Sequence, residues 1–387
     1  MPWEEKNVLD QRADFVRKAF KSGVNFKVLC ADFGISTKTG YKWMKRFWEE
    51  GSVGLEDRSR RPHSHSCQLD EVTICRLIRL KFAHLKWGPK KIQELYRRSY
   101  GSPPSLSSVK RIFTKAGLVK RTRKRKVKPG QRIVNRIESK APNDVWTVDF
   151  KGWWLSQDKK RCEPLTVRDD FSRYVLAAVP LKRSSIERVR DVFERLFKVY
   201  GLPGVIRSDN GTPFASPNAL FGLTKLSAWF IALGIRLDRI KPGCPSQNGG
   251  HERMHRDISF EVESMVKGDL DHHADSLEAW RREFNEVRPH EALGMKTPSQ
   301  VYVKSNSNFM GTPDKLDYPK PFIERKVGRG GLIKLDKKSI FITDSLRGWT
   351  LGLKACSENE LDVHFADLNL GNINLETYSF TPSVIAT

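Results

Sequence analysis

The sequence predicts a multidomain chain with an all-α front, an α/β centre and a small all-β C-terminal domain. Three observations carry that reading. Apolar residues recur at helical spacing as far as residue 119. From residue 141 strand-like runs mix with helical ones. After residue 304, "GLIKLDKKSIFI", "GWTLGLKA" and "ELDVHFADLNLGNINLETYSF" alternate with turn residues and no helical run intervenes. A chain of 387 residues suffices for two to four domains, each with its own core.

The front begins with three helices, expected at 8–22, 25–33 and 36–50. The last two meet at "FGIS", where Gly34 takes the turn, Ile35 points inward and Ser36 caps the next helix, a helix-turn-helix signature. That helix sets Lys38, Thr39, Lys42, Lys45 and Arg46 beside an apolar set of Trp43, Met44, Phe47 and Trp48. "GSVGLEDRSRRPHSHS" then reads as a linker. A second helical unit follows through "VTICRLIRLKF", "WGPKKIQELYRR" with Pro89 near the first helical position, and "PSLSSVKRIFTKAGL". In its last helix Leu106, Val109, Ile112 and Phe113 face inward; Ser107, Ser108, Lys110, Arg111 and Lys115 face outward.

Charge is distributed as unevenly as structure. Residues 1–140 hold 34 basic and 13 acidic side chains, which leaves the rest of a chain of formal charge +24 nearly neutral. A solubilising surface would spread the excess, so a basic front implies a polyanionic partner, nucleic acid first. The tract "KRTRKRKVKPGQR" has eight basic residues in thirteen and no acid. Lys120, Arg121, Arg123, Lys124, Arg125, Lys126 and Lys128 are expected to track phosphates, making binding steeply salt-dependent. No apolar run approaches the ~18 residues of a membrane span. The first ten residues lack the apolar core of a signal peptide, and six cysteines without framework spacing fit reduced thiols, so a cytosolic protein is expected. His63, His65 and Cys67 lack partners at finger-like spacing.

In the α/β centre, strands are expected at 145–154, 161–169, 173–179, 204–208 and 236–240, with helices at 185–200, 223–233 and 246–267. "DVWTVDFKGWW" places Asp149 among strand-forming residues, where a carboxylate is costly to desolvate unless something meets it. "YGLPGVIRSDNGTPF" delivers Asp209 from a strand end into a glycine-containing turn, shaped by Asn210 and Gly211. "PGCPSQNGGHERMHRD" puts Glu252 in an early helical turn despite Gly249 and Gly250, each costing ~1 kcal/mol relative to alanine. Close approach of another group would account for such glycines. Convergent acids of this kind suit hard divalent cations, two of which can activate the attacking oxygen and stabilise the leaving one in phosphodiester chemistry.

"WTVDFKGWW", "PLTVRDDFSRY", "YGLPGVIRSDNGTPF" and "PGCPSQNGGHERMHR", followed by "NEVRPHEALGMKTPSQVY", resemble the integrase core of the DDE insertion-sequence transposases, most of all the insertion sequence four-eighty-one family. The resemblance covers residues 141–303 and implies a ribonuclease-H-like catalytic core with Asp149, Asp209 and Glu252 as catalytic acids and metal ligands. Their separations of 60 and 43 residues suit that family. It implies Mg²⁺, with Mn²⁺ as substitute, and no zinc. Partners would be double-stranded DNA of the element ends and of the target, with at least two copies of the chain on DNA, in the bacterial cytoplasm at the nucleoid. Gln247 and Asn248 are expected near that DNA, and His251 and His255, which flank Glu252, at the surface or the DNA, with a metal role as the alternative. Asp169 and Asp170 are expected in a hairpin turn, and Arg288 and His290 ordering the helix behind the site. Expected domain bounds are 1–55 and 67–119 for the helix-turn-helix domains, 120–140 for a basic linker, 141–303 for the catalytic core and 304–387 for the β-rich domain.

Overall fold

The structure is a computed structural model that describes residues 7–59, 69–119, 137–181, 185–240 and 248–383. The basic tract from Lys120 to Lys128 and Gln247 therefore lie outside the described residues, as do His63, His65 and Cys67. The chain divides into two compact units, residues 1–70 and 71–387.

In the first unit, α1 (Val8–Ala19), α2 (Phe26–Asp32) and α3 (Thr37–Glu50) enclose Phe15, Val16, Leu29, Cys30, Trp43 and Leu55. The turn between α2 and α3 forms as the sequence indicates: Gly34 has φ +63° and Ser36 Oγ accepts from the Thr39 N–H at 3.2 Å. Gly40 lets α3 press on α2, since a Cβ there would lie 2.7 Å from Cys30 Sγ. Two expectations need correcting. The run expected as linker starts with a 3₁₀ turn, Gly51–Leu55, that buries Leu55 in this core. Trp48, counted with the inward set, is 80% exposed and stacks on Phe20.

The second unit opens with α4 (Glu71–Ala83), α5 (Pro89–Tyr100) and α6 (Leu106–Lys115), packed around Leu77, Trp87, Ile92, Val109 and Phe113. Pro89 starts α5, and Ser105 Oγ caps α6 by accepting from the Ser108 N–H. This helical part rests on residues 283–295: His84 Nδ1 lies 2.9 Å from Glu283, Lys90 Nζ 2.8 Å from Glu291, and Arg98 donates to the Met295 carbonyl at 2.6 Å.

Five strands, β1 (Val145–Phe150), β3 (Arg161–Asp169), β4 (Val175–Leu181), β5 (Val205–Ser208) and β6 (Arg236–Arg239), make the central sheet in the order β4-β3-β1-β5-β6. β3 is antiparallel to both β1 and β4; β5 runs parallel to β1 and β6. The short β2 (Trp154–Leu155) pairs with the start of β3. The expected single strand 145–154 is thus broken, at Gly152 with φ +90°, where Lys151 turns inward over Trp154 and pairs with Glu263. β4 starts two residues later than expected because the hairpin is longer: Asp169 accepts from the Ser172 N–H and Oγ, and Arg173 has φ +64°.

Period-two alternation divides the sheet between two helical layers. Trp146, Val148, Leu165 and Val167 pack on α7 (Ile186–Tyr200) and α8 (Lys225–Ala232) through Phe193, Phe197, Trp229 and Phe230. Cys162, Val175 and Ala178 pack on α9 (Gly249–Ile258) and α10 (Leu270–Arg282) through Met254, Ile258, Leu277 and Trp280. The helix expected to reach residue 267 leaves α-geometry at Ser259, where a π-turn, Ser259–Glu263, inserts. α10 was not foreseen.

The C-terminal segment is all β. Strands β7 (Ile323–Lys326), β10 (Thr350–Ser357), β11 (Glu360–Phe365), β12 (Leu368–Asn374) and β13 (Phe380–Pro382) form one sheet beside the hairpin β8 (Leu332–Leu335) and β9 (Lys338–Phe341). Its core takes in Leu223, Ala228 and Ala232 from the segment of α8, and Ser345 Oγ donates to the Leu223 carbonyl at 2.6 Å.

Candidate active site

Asp149 lies one residue from the end of β1, on the α9 face of the sheet, because Trp146 and Val148 take the opposite face. Its Cα partner on β3 is Thr166, whose hydroxyl donates to the Asp149 carbonyl at 2.9 Å. Asp149 is half-buried, whereas Asp209, just past the end of β5, and Glu252, on α9, are exposed. Burial, then the negative charge of Asp209 and more weakly that of Glu252, push the Asp149 carboxyl up to about 7, against hydrogen bonds from the Phe150 backbone and the Asn248 side chain. The fold therefore gathers three carboxylates from a strand, a neighbouring strand end and a facing helix closely enough for their charges to oppose one another.

Each acid has a local frame. The Gly211 N–H donates to Asp209 Oδ1 at 3.1 Å, and the Asn210 amide donates to the Ile240 carbonyl at 2.6 Å, so these two residues shape the turn as anticipated. Asn248 Nδ2 donates to Asp149 Oδ2 at 2.8 Å while its Oδ1 lies 3.1 Å from His251 Nδ1. Asn248, expected at the DNA, thus has both ends of its amide turned inward and is buried. The two histidines are not surface residues either. His251 is fully buried, with burial and the Arg168 charge holding it well below the usual imidazole range. His255 is pushed down to about 4, chiefly by burial, and its Nε2 lies 2.8 Å from Thr166 Oγ1. Both stay neutral and support Asn248 and Thr166, which in turn fix Asp149.

The glycines of α9 divide in role. A Cβ on Gly250 would sit 2.1 Å from the Arg168 guanidinium, whereas one on Gly249 would meet nothing within 4 Å. Gly250 is required by a buried arginine of β3, and Gly249 is not sterically required. Arg168 in turn pairs with Asp170 at 3.1 Å, and Arg207 joins Asp170 at 3.2 Å and Asp238 at 2.7 Å. Asp169 is wholly buried, accepting from the Asn143 and Ser172 N–H groups at 2.7 Å each. Asp169 and Asp170 belong to the turn and its ion pairs. Arg288 clamps α9 from behind, pairing with Asp257 at 2.7 Å and Glu261 at 3.2 Å. Sequence reading did not single out Thr166 and Arg168; their alternation with Leu165 and Val167 on β3 was the available signal.

On α3, Lys38, Lys42 and Lys45 are exposed and Thr39 and Arg46 half-exposed; Thr39 is occupied by the Ser36 cap, and Lys45 reaches Glu49 at 3.7 Å. On α6, Ser107, Lys110 and Arg111 are exposed, while Ser108 bonds to Ser105.

As a cation site, the acids offer carboxylate oxygen only, the donor type hard divalent ions take. Among the described residues no group of three or more His, Cys, Asp or Glu side chains stands at metal-binding distance. An open arrangement is still compatible with Mg²⁺, which is commonly held by one or two carboxylates together with water and substrate phosphates. Burial is the main cause of the raised Asp149 carboxyl, and a cation here would also relieve the part that comes from Asp209 and Glu252.

A mixed sheet with helices on both faces, acids gathered at one edge of it and helix-turn-helix units ahead of it define a protein with an integrase core. Integrase core domains match residues 139–245 and 233–298, a helix-turn-helix domain matches 11–63 and a homeodomain-like domain 39–113. The insertion element IS407 uncharacterized 31.7 kDa protein of Burkholderia multivorans is 31% identical over 237 residues, covering 61% of this chain and 82% of that protein. The insertion element IS476 uncharacterized 39.2 kDa protein of Xanthomonas euvesicatoria is 31% identical over 229 residues, covering 58% of this chain and 63% of that protein, less than two thirds of its length. The chain belongs to this family of insertion-element proteins with an integrase core. Solved structures similar to it include the HTLV-2 integrase catalytic core domain in complex with magnesium (TM-score 0.34, 18% identity, 43% of this chain and 100% of that one). Another is the simian T-cell lymphotropic virus intasome in complex with PP2A regulatory subunit B56 gamma (TM-score 0.38, 15% identity, 76% and 97%).

Proposed function

We propose that the chain is a DNA transposase that binds the terminal inverted repeats of its element and carries out metal-dependent DNA cleavage and strand transfer. The single observation that carries this reading is the convergence of three carboxylates from separate elements, felt at the half-buried Asp149, whose carboxyl is raised by burial first, then by Asp209 and more weakly by Glu252. The four ordered motifs point to the insertion sequence four-eighty-one family. Asp149, Asp209 and Glu252 would hold Mg²⁺, or Mn²⁺ in its place. When bound, the cation supplies an activated water and charge stabilisation for the leaving oxygen. Asn248 and Thr166 hold the Asp149 carboxylate and backbone in place, and Arg288 holds α9 so that Glu252 stays opposed to it. In the first reaction a water oxygen bonds to phosphorus and the P–O3′ bond breaks, leaving a 3′ hydroxyl and a 5′ phosphate. In the second, that 3′ oxygen attacks a target phosphodiester and displaces its 3′ oxygen, joining the strands.

The exposed cations of α3 and α6 and the tract from Lys120 to Lys128 would bind the duplex. Two ends must be handled together, so at least two copies act on DNA. Among the described residues no helix is long and apolar enough to cross a membrane; the work belongs in the cytoplasm at the nucleoid.

The test uses labelled element-end DNA, Mg²⁺ and a supercoiled target. The native chain should cut and join; Asp149→Asn, Asp209→Asn and Glu252→Gln should each lose at least about a thousandfold in rate while end binding stays within about twofold. Cutting without joining would reduce the chain to a nuclease. Binding alone by the native chain would leave a reader of DNA.

A further inference from the structure

On the flank of α9 beside Glu252 and turned away from Asn248 and His251, a cavity of about 500 Å³ is walled by five cations drawn from across the second unit. They are Lys91 of α5, Arg168 of β3, Arg173 of the hairpin turn, Arg253 of α9, and Arg288 beyond α10. The two acids in the wall are already matched: Asp257 takes Arg288 at 2.7 Å and Glu291 takes Lys90 at 2.8 Å. Among the described residues Lys91, Arg173 and Arg253 form no ion pair. Arg288 Nε is buried and has no hydrogen-bond partner among them, although the rest of that guanidinium is paired. A buried donor without an acceptor is costly, and like charges crowded in a half-buried pocket repel, so both ask for an anion. Lys91 registers the same strain: burial, then the Arg288 charge, pushes its ammonium down to about 8, with Arg253 adding to this and Asp257 and Glu261 opposing it.

We propose that this cavity is a socket for a backbone phosphate of the DNA strand whose scissile phosphate lies at the acids. The inference rests on the transposase reading for its substrate. Arg253 follows Glu252 on α9, about 100° further round the helix, and a DNA strand carries a charge about every 3.4 Å along its axis. A strand engaged at Glu252 and running on across this flank of α9 brings a following phosphate to Arg253. Lys91 lines the same cavity from α5, so one phosphate would tie the second helical unit to the core and set the strand's register at the acids.

The test is a methylphosphonate scan, neutralising one phosphate at a time, of the inverted-repeat end of the element that carries this gene. Binding to the full-length chain is read by fluorescence anisotropy in EDTA. The native chain should lose about tenfold in affinity at one or two adjacent positions beside the cleavage point. In Lys91→Gln/Arg253→Gln that penalty should fall below about twofold while penalties elsewhere persist, and the slope of log K against log salt should flatten by about 1. The charge-keeping Lys91→Arg/Arg253→Lys should restore the native profile, which excludes a folding defect. A native profile in the neutral variant would overturn the socket. So would stabilisation of the native chain by inorganic phosphate alone, with no sensitive position on DNA, which would make the cavity a free-anion site. Cleavage by the same preparations in Mg²⁺ is read separately, so a chain that binds in this register without cutting counts against the transposase reading and leaves the socket standing.

Discussion

The two faces of α9 set the same electrostatic problem with opposite signs. On one, Asn248 and Glu252 meet Asp149 and Asp209, three acids whose charges oppose one another. On the other, Gly250 and Arg253 meet Lys91, Arg168, Arg173 and Arg288, an excess of cations over acids. A fold selected for stability alone would interleave these charges, since an unmatched buried charge is expensive. Keeping them apart, on two rows of residues along one helix, leaves each face complementary to a ligand of its own: a cation on one side, a phosphate on the other.

Three changes sharpen that comparison. The largest effect is expected on the cationic face, where Arg288→Met would leave Asp257 and Glu261 without their partner; a loss of about 3 kcal/mol should be measured by chemical denaturation. Little or no loss would mean that Arg288 does not brace α9. On the acidic face Asp149→Asn should stabilise. The folded-state pKa near 7 stands above the ordinary 3.8, so the ionised carboxylate is disfavoured by folding. That penalty is absent below the ordinary value, grows as pH rises towards 7 and is complete above it. The variant should therefore gain about 1–3 kcal/mol at pH 8, clearly less at pH 5, and the gap at pH 8 should narrow when Mn²⁺ stabilises the native chain. A gain independent of pH would deny that the folded protein disfavours the ionised Asp149. Smallest is the contrast at the glycines between the faces: Gly249→Ala should raise the melting temperature, worth up to ~1 kcal/mol, and Gly250→Ala should lower it by crowding Arg168. Equal shifts in the two variants would contradict the packing described.

The acidic face was legible in the sequence as a set: Asp149 breaks a local rule among strand formers, whereas Asp209 in an Asp-Asn-Gly turn and Glu252 on a helix read singly as ordinary turn and surface residues, and only the four ordered motifs join them. The helix-turn-helix was legible for a similar reason, since Gly34 and Ser36 act through backbone geometry within four residues. The cationic face was not, because Lys91, Arg173 and Arg288 come from segments far apart in sequence; Lys91 and Arg173 each alone read as an ordinary surface charge, and Arg288 was expected only to order the helix behind the site. Nor was the inward turn of Asn248 and His251, which depends on what β3 presents across the gap. α10 escapes an argument from apolar spacing: its inward positions, Leu270, His273, Leu277 and Trp280, include a histidine that interrupts the apolar period, although the Asp269 side chain, accepting from the His272 N–H, marks its start.

The most direct test of the central claim, that three distant acids share one cation beside DNA, is a Mn²⁺ titration of the full-length chain on uncleaved element-end DNA, followed by electron paramagnetic resonance. Binding should tighten about fivefold from pH 6 to pH 7 and about twofold more by pH 8 as Asp149 gives up its proton, level off above that, and be lost in Asp149→Asn and Glu252→Gln alike. Equal Mn²⁺ affinity in the native chain and both variants would contradict it.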